Sequence, residues 1–222
     1  MEHELYWISG SPYAWRVLLA LEYRGVPYVS RRLDSGRQEN RSPEFLALNP
    51  RGKVPVLKTG DIVICESVAI LAFLDTAHPA IPLFGQTADA HGRIWHRIWE
   101  FENYARDLIE TEIVRPLLRG NGGDNPEGVR ASAVRVVDTL GWMDLALSCA
   151  PYLAGDDITA ADIVALPNIQ LLRRVAARPD AIGLGIGLDA LDAQLPALRA
   201  WVARMEAMPG YDEAYPPHWR DS

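Results

Sequence analysis

Two short stretches hold residue types that could grip a small zwitterion. Glu66-Ser67 offers a carboxylate for an ammonium group and a hydroxyl for a carboxylate. Both stand where a helix is expected to begin, and unpaired N–H groups at a helix start favour a bound carboxylate. Ahead of them runs Asn49-Pro-Arg-Gly-Lys-Val-Pro-Val-Leu57. Pro55 is expected at the first residue of a strand, where proline is tolerated because it need not donate to the ladder. A cis bond can sit at such a bend. It would turn the Val54 N–H and C=O out of the sheet, toward a peptide-like ligand. One stretch thus supplies backbone hydrogen bonds, an acidic group for an amine, and a hydroxyl with amides for a carboxylate. That chemistry suits a zwitterionic peptide.

The elements that must position these groups follow from the pattern around them. Leu5 to Ile8 is predicted as a short buried strand. Ser9-Gly10-Ser11-Pro12 breaks it and opens a helix from Tyr13 to Tyr23, with Val17, Leu18 and Leu21 on one face. Gly25 ends that helix. A second strand begins at Pro27-Tyr28-Val29, and Arg31 to Arg41 is expected as a loop. Ser42 is the N-cap and Pro43 the first residue of a short helix. Val56-Leu57 and Ile62 to Ile64 pair across a turn at Gly60-Asp61, and a helix follows from Ser67 to Ala77. The order β-α-β-α-β-β-α predicts an α/β domain over residues 1–79. Pro79 to Leu83 then acts as a linker.

No strand is predicted after Ala88. Helices are expected over His91 to Leu118 (stopped or kinked by Pro116), Val129 to Ser148, Thr159 to Arg174 and Leu195 to Met208, making residues 88–222 an all-α domain. Thr159 and Asp162 form a capping box, with Ile158 and Ile163 as its staple. That reading is structural rather than catalytic.

Composition narrows the field. The 222 residues carry a formal net charge of −7 and no long basic run, which counts against a nucleic-acid partner. Cys65 and Cys149 lie far apart and form neither CxxC nor a metal set, so a reducing, cytoplasmic setting is expected and no metal site. The start, Met-Glu-His-Glu, has no basic or apolar signal segment, and Val68 to Leu74 is too short to span a bilayer. His91, His96 and His218 lack metal-ligand company.

Three features coincide: Ser-Pro-Tyr after the first strand, Lys-Val-Pro-Val-Leu with Glu-Ser, and Gly155-Asp-Asp-Ile-Thr-Ala-Ala-Asp162. Together they resemble the soluble glutathione transferase family, along nearly the whole chain. Ser11-Pro12-Tyr13 followed by Arg16-Val17 is similar to its serine-type classes. Trp15-Arg16-Val17 is similar to the zeta class, and Lys-Val-Pro-Val-Leu with Cys-Glu-Ser to the tau class. Pro12-Tyr13 stands where the zeta class has Ser-Cys, which counts against zeta-type isomerase activity. The resemblance implies a thioredoxin-like N-terminal domain holding glutathione, a helical domain supplying most of the second-substrate pocket, a homodimer, and a role in detoxification.

The resemblance also implies roles. Ser11 would stabilise the glutathione thiolate, although the local sequence alone favours a helix N-cap. Ser9 or Tyr6 could replace it. Glu66 and Ser67 would hold the γ-glutamyl end, Val54 before Pro55 would pair its backbone with the cysteinyl unit, and Lys53 and Arg41 could meet the glycyl carboxylate. Tyr13, Tyr104 and Asp107 are the candidates for the second-substrate pocket. The aromatic stripe Trp95, Trp99 and Tyr104 is nevertheless more typical of core or dimer interface than of a pocket. Conjugation to electrophiles is the expected activity. A glutathione-dependent isomerase or dehalogenase, or a scaffold with little turnover, would use the same framework.

Overall fold

The structure is a computed structural model and describes residues 2–220. It divides into two compact units. Residues 1–83 and 206–222 make the first, and residues 84–205 the second.

In the first unit, β1 (His3–Trp7), α1 (Pro12–Tyr23), β2 (Val29–Arg32), α2 (Pro43–Leu48), β3 (Val56–Thr59), β4 (Ile62–Cys65) and α3 (Ser67–Ala77) follow in order. The sheet order is β2-β1-β3-β4, with β1 parallel to β2 and antiparallel to β3, and β3 antiparallel to β4. On β1, His3, Leu5 and Trp7 alternate inward, as a strand with one covered face requires. Leu5, Val56, Leu57, Ile70, Leu71 and Leu74 are wholly buried.

The second strand starts two residues later than predicted and takes in part of the expected loop. Ser30, Arg31 and Arg32 are exposed on this edge strand, so no apolar alternation marks it. Pairing with β1 sets it instead: Arg31 Nε lies 2.9 Å from Glu4 Oε2.

α1 is buried along its entire stretch from Ala14 to Leu21, not on one face. A helix apolar all round must be covered all round. α3 packs on it, and so does a short helix near the C-terminus, Tyr211–Ala214. The rings of Tyr211, Tyr215 and Trp219 stand 6.0, 5.6 and 5.4 Å from that of Trp15. The expected helical domain at 88–222 therefore loses its last segment, which belongs to the first unit.

The second unit is helical. α4 (Ala88–Glu100) continues into π-helical turns over Phe101–Arg106 and Leu108–Val114, then α5 (Arg115–Leu118). The helix does not stop at Pro116 but runs on to Leu118. Pro116 follows directly on the π-helical turns, with Val114 and Arg115 both in the αR region, and the helix ends at Gly120, φ +73°. α6 (Pro126–Cys149), α7 (Ala160–Ala176), α8 (Pro179–Gly183), α9 (Leu191–Gln194) and α10 (Pro196–Glu206) complete the unit; α11 is the C-terminal helix already described.

α7 is its buried centre. The Asp162 carboxylate accepts from the amides of Leu153 and Thr159 at 2.9 and 3.0 Å, from Thr159 Oγ1 at 2.9 Å and from Trp201 Nε1 at 2.8 Å. Burial pushes this carboxyl up while the four donors pull it down. No helix among the described residues is long and apolar enough to cross a membrane.

Candidate functional site

Sheet register brings three chain segments to one end of the first unit. Tyr6 pairs with Val56 and Val56 with Cys65. Beyond those pairs lie the turn after β1, the bend before β3 and the end of β4. Ser11, Val54-Pro55 and Glu66-Ser67 stand on these three exits.

The turn after β1 closes by the Ser11 amide donating to the Ile8 carbonyl at 3.2 Å, with Gly10 at φ +83°. A positive φ there is what a glycine at the third position of a type II turn supplies. Ser11 follows as the N-cap of α1. Its Oγ accepts the Ala14 N–H at 3.3 Å and Pro12 begins the helix. The N-cap reading of Ser11 therefore holds, and the hydroxyl keeps its own proton to donate. Ser9 Oγ is 2.7 Å from His218 Nδ1. Tyr6 is half-buried, its ring 6.1 Å from that of Phe45.

The bend before β3 is cis at Val54-Pro55. Val54 lies outside the ladder, which ends at Val56. The loop leading to it is tied down by side-chain amides. Asn49 Nδ2 donates to the Lys53 carbonyl at 2.7 Å, Asn49 Oδ1 accepts from the Arg51 amide at 3.2 Å, and Asn40 Nδ2 donates to the Gly52 carbonyl at 2.8 Å. Asn49 is buried for this purpose. Arg41 lies across Gly52, where a Cβ would come within 2.8 Å of its Nη1, and reaches the Arg51 carbonyl at 3.5 Å. Arg41 and Lys53 are both exposed. Arg41 thus lies against the backbone of Arg51, two residues before Lys53.

At the end of β4, Glu66 adopts φ +71°, ψ 116°. This is a backbone conformation that non-glycine residues rarely take. Its side chain makes no capping bond and is exposed. Ser67, by contrast, is buried, and its Oγ accepts a long contact of 3.5 Å from Arg16 Nη1. Arg16 is itself 1% exposed and its guanidinium lies 4.9 Å from the centre of the Tyr13 ring. It thereby bridges the starts of α1 and α3. Burial, then Glu66, push the Cys65 thiol up, with Arg51 opposing.

Sequence reasoning missed Arg16, Asn40, Asn49 and His218 as site residues. A guanidinium in the apolar run Ala14 to Leu21 was the available signal for Arg16. The others depend on hydrogen bonds to backbone far along the chain.

Two expected residues lie in the second unit. Tyr104 is exposed on the first π-helical stretch. Asp107 is exposed and accepts from Thr111 Oγ1 at 3.3 Å and Arg106 Nη1 at 3.4 Å. Among the described residues no group of three or more His, Cys, Asp or Glu could hold a metal ion.

Residues 10–77 match the family model Glutathione S-transferase, N-terminal domain, and residues 126–204 match Glutathione S-transferase, C-terminal domain. Glutathione S-transferase 1 of Dianthus caryophyllus is 46% identical over 114 residues, 51% of this chain and 48% of that protein. Glutathione S-transferase 3 of Zea mays is 31% identical over 216 residues, 95% of this chain and 91% of that protein. Among solved structures, a glutathione S-transferase from the Antarctic clam Laternula elliptica is similar at a TM-score of 0.84 and 26% identity, covering 100% of this chain and 95% of that one.

Proposed function

Because the chain belongs to the soluble glutathione transferase family, we propose that it joins the glutathione thiolate, stabilised by Ser11, to small hydrophobic electrophiles. A free cysteine-type thiol titrates near pKa ~8.5, so lowering it by two units takes about 2.7 kcal/mol. One hydroxyl bond to an anion supplies roughly 1.5–3 kcal/mol, which is the right size. The start of α1 adds its dipole in the same direction. The thiol proton leaves to solvent, the Ser11 O–H donates to the thiolate, and the sulfur attacks an electrophilic carbon, either expelling a leaving group with its electron pair or adding across a polarised double bond whose far atom takes a proton from solvent. No general base on the protein is required.

The remaining groups fix the peptide. Glu66 takes the γ-glutamyl ammonium. Ser67 and the first amides of α3 take the neighbouring carboxylate. Val54 pairs its backbone with the cysteinyl unit beside Pro55, while Lys53 and Arg41 meet the glycyl carboxylate. Tyr13, Tyr104 and Asp107 are the residues we assign to the electrophile.

The observation that carries this reading is Glu66. A positive φ on a non-glycine residue, with no capping bond in return, is a cost that the fold itself does not explain. Such strain is typical of residues held in place for a ligand.

The test is a panel of electrophiles with glutathione, following conjugate and free glutathione together. Conjugate formed as glutathione disappears supports the proposal. Glutathione returned or oxidised while the electrophile is isomerised or dehalogenated would replace conjugation with those reactions. Failure to bind glutathione would leave a scaffold. A homodimer is part of the same proposal and is read by light scattering.

A further inference from the structure

We propose that His218, near the C-terminus, is a positioning residue that holds the Ser11 turn in its working conformation. The inference rests on the reading of Ser11 as the thiolate-stabilising hydroxyl.

The turn from Ile8 to Ser11 has a soft mode. A turn with positive φ at its third residue interconverts with its negative-φ form by rotation of the central peptide, here the one joining Ser9 and Gly10. That rotation leaves Ser11 almost in place but turns over the Ser9–Gly10 carbonyl and amide beside its hydroxyl, and with them the dipoles around the sulfur that the hydroxyl would hold. Glycine at position 10 does not resist it, having no Cβ. Something outside the turn must therefore choose the conformer.

His218 touches the turn on both sides of that peptide. Its Nδ1 is hydrogen-bonded to Ser9 Oγ at 2.7 Å. Its ring lies against Gly10 so closely that a Cβ there would stand 2.7 Å from Cε1 and 3.1 Å from Nε2. The imidazole thus fixes the side chain before the peptide and blocks the space after it. Its own place is fixed as well. It lies in a single 3₁₀ turn, Pro217–Trp219. The buried Trp219 stands edge-on to Trp15 at 5.4 Å and to Tyr215 at 5.9 Å. Trp15 is four residues after Ser11 on α1. The C-terminal segment is therefore anchored to the helix that Ser11 caps and presses on the turn that precedes it.

The test compares His218→Ala, His218→Asn and His218→Gln for kcat, KM and directly measured glutathione affinity. Asn sets its amide where Nδ1 is and can keep the bond to Ser9; Gln sets it where Nε2 is and does not. We expect His218→Ala and His218→Gln to lower kcat about tenfold, with glutathione Kd changed less than about twofold, since misdirected dipoles beside the sulfur weaken turnover more than binding of the whole peptide. His218→Asn restores most of kcat. Ser9→Ala reproduces the loss, and the Ser9→Ala/His218→Ala double variant falls no further than either alone. An unchanged kcat in His218→Ala, or equal loss in the Asn and Gln variants, overturns the proposal. So does a fall in affinity that matches the fall in kcat, which would mark general unfolding of the site. Ser11→Ala is measured beside them. Turnover lost there but kept in His218→Ala removes only His218 from the mechanism; turnover kept in Ser11→Ala removes the Ser11 reading itself and His218 with it.

Discussion

Glu66→Gly should make the protein more stable and worse at binding glutathione, and the two effects can be sized separately. Glu66 sits at φ +71°, and its side chain makes no capping bond. A non-glycine residue in such a conformation costs about 1–3 kcal/mol. Glycine removes that cost but loses about 0.5–1 kcal/mol through its freer unfolded chain. The first backbone bond of α3, from the Ile70 amide to the Glu66 carbonyl at 3.0 Å, needs no side chain and survives. The net gain is about 0–2.5 kcal/mol, or up to roughly 10 °C in melting temperature for a chain this size. Binding moves the other way. Glu66 is exposed, so its bond to an ammonium lies between a screened surface pair, about 1 kcal/mol, and a charged hydrogen bond, about 3 kcal/mol. Its loss weakens glutathione about 5- to 150-fold. Glu66→Ala is the control: it loses the carboxylate but keeps the strained φ, so affinity falls equally without the gain in stability. Thermal melts without ligand and calorimetric titration with glutathione read both. If Glu66→Gly melts below Glu66→Ala, the strain argument is wrong. If both variants bind as the wild type does, the carboxylate does not hold the ammonium.

Ser11→Ala should raise the pKa of bound glutathione's thiol and slow conjugation by roughly 10- to 150-fold, the value of one hydroxyl bond to an anion. The ultraviolet absorbance of the thiolate against pH reports the shift, and an unmoved titration would count against Ser11. The same variant loses the cap of α1, for about 1 kcal/mol of stability. Asp162→Ala leaves four donors from Leu153, Thr159 and Trp201 facing nothing, and should destabilise the second unit by about 3–5 kcal/mol; a urea midpoint within error of wild type would refute this. Acid should weaken the first unit through His3 and His78, whose Nε2 atoms lie 2.8 Å apart. Burial first, then a charged neighbour (His78 for His3, Arg24 for His78), hold both imidazoles below the ordinary value. Folding therefore favours their neutral forms. Their contribution is complete above about pH 6.5, the unfolded value, and is lost as pH falls below it. His78→Gln should flatten the fall in stability between pH 7 and pH 5, and an unchanged slope would exclude the pair.

Some of this was legible because the determinants are local. The β3–β4 hairpin follows from alternation around Gly60-Asp61, the start of α2 from Ser42-Pro43, and the start of α7 from Thr159 and Asp162. Each is a rule that operates within about four residues. β2 was misread because Ser30, Arg31 and Arg32 are polar, and only pairing with β1 makes them a strand. Tyr211, Tyr215 and Trp219 lie on a chain broken at Pro216-Pro217, so no helical period marks their shared contact. Their partner, Trp15, lies almost 200 residues away. Of the proposed site residues, Val54-Pro55, Glu66 and Ser67 are suggested by type and spacing, and Ser11 by the family resemblance. Their support was not legible. Arg16 between Tyr13 and Ser67, the amides of Asn40 and Asn49 on the Gly52 and Lys53 carbonyls, and His218 on Ser9 are long-range contacts of single side chains.

That division has a physical cause. The groups that would touch the ligand stand where the chain leaves regular structure: before α1, before β3 and before α3. Chain exits have few backbone bonds of their own, so their conformation is set by whatever side chain reaches them from elsewhere. Each exit here has such a support. His218 presses on the first, Asn49 holds the second, and Arg16 meets Ser67 at the third. Changing a ligand-facing residue therefore tests chemistry, and changing its support tests geometry. Asn49→Ala shows the difference. It should leave Lys53, Val54 and Glu66 chemically intact, yet free the Lys53 carbonyl and the Arg51 amide at once. Two lost bonds of about 1 kcal/mol each loosen the loop without unfolding the unit. Glutathione affinity should fall while the thiol pKa of whatever glutathione still binds stays put. If the pKa moves with the affinity, the exits are coupled and Ser11 cannot be treated as a separate part of the site.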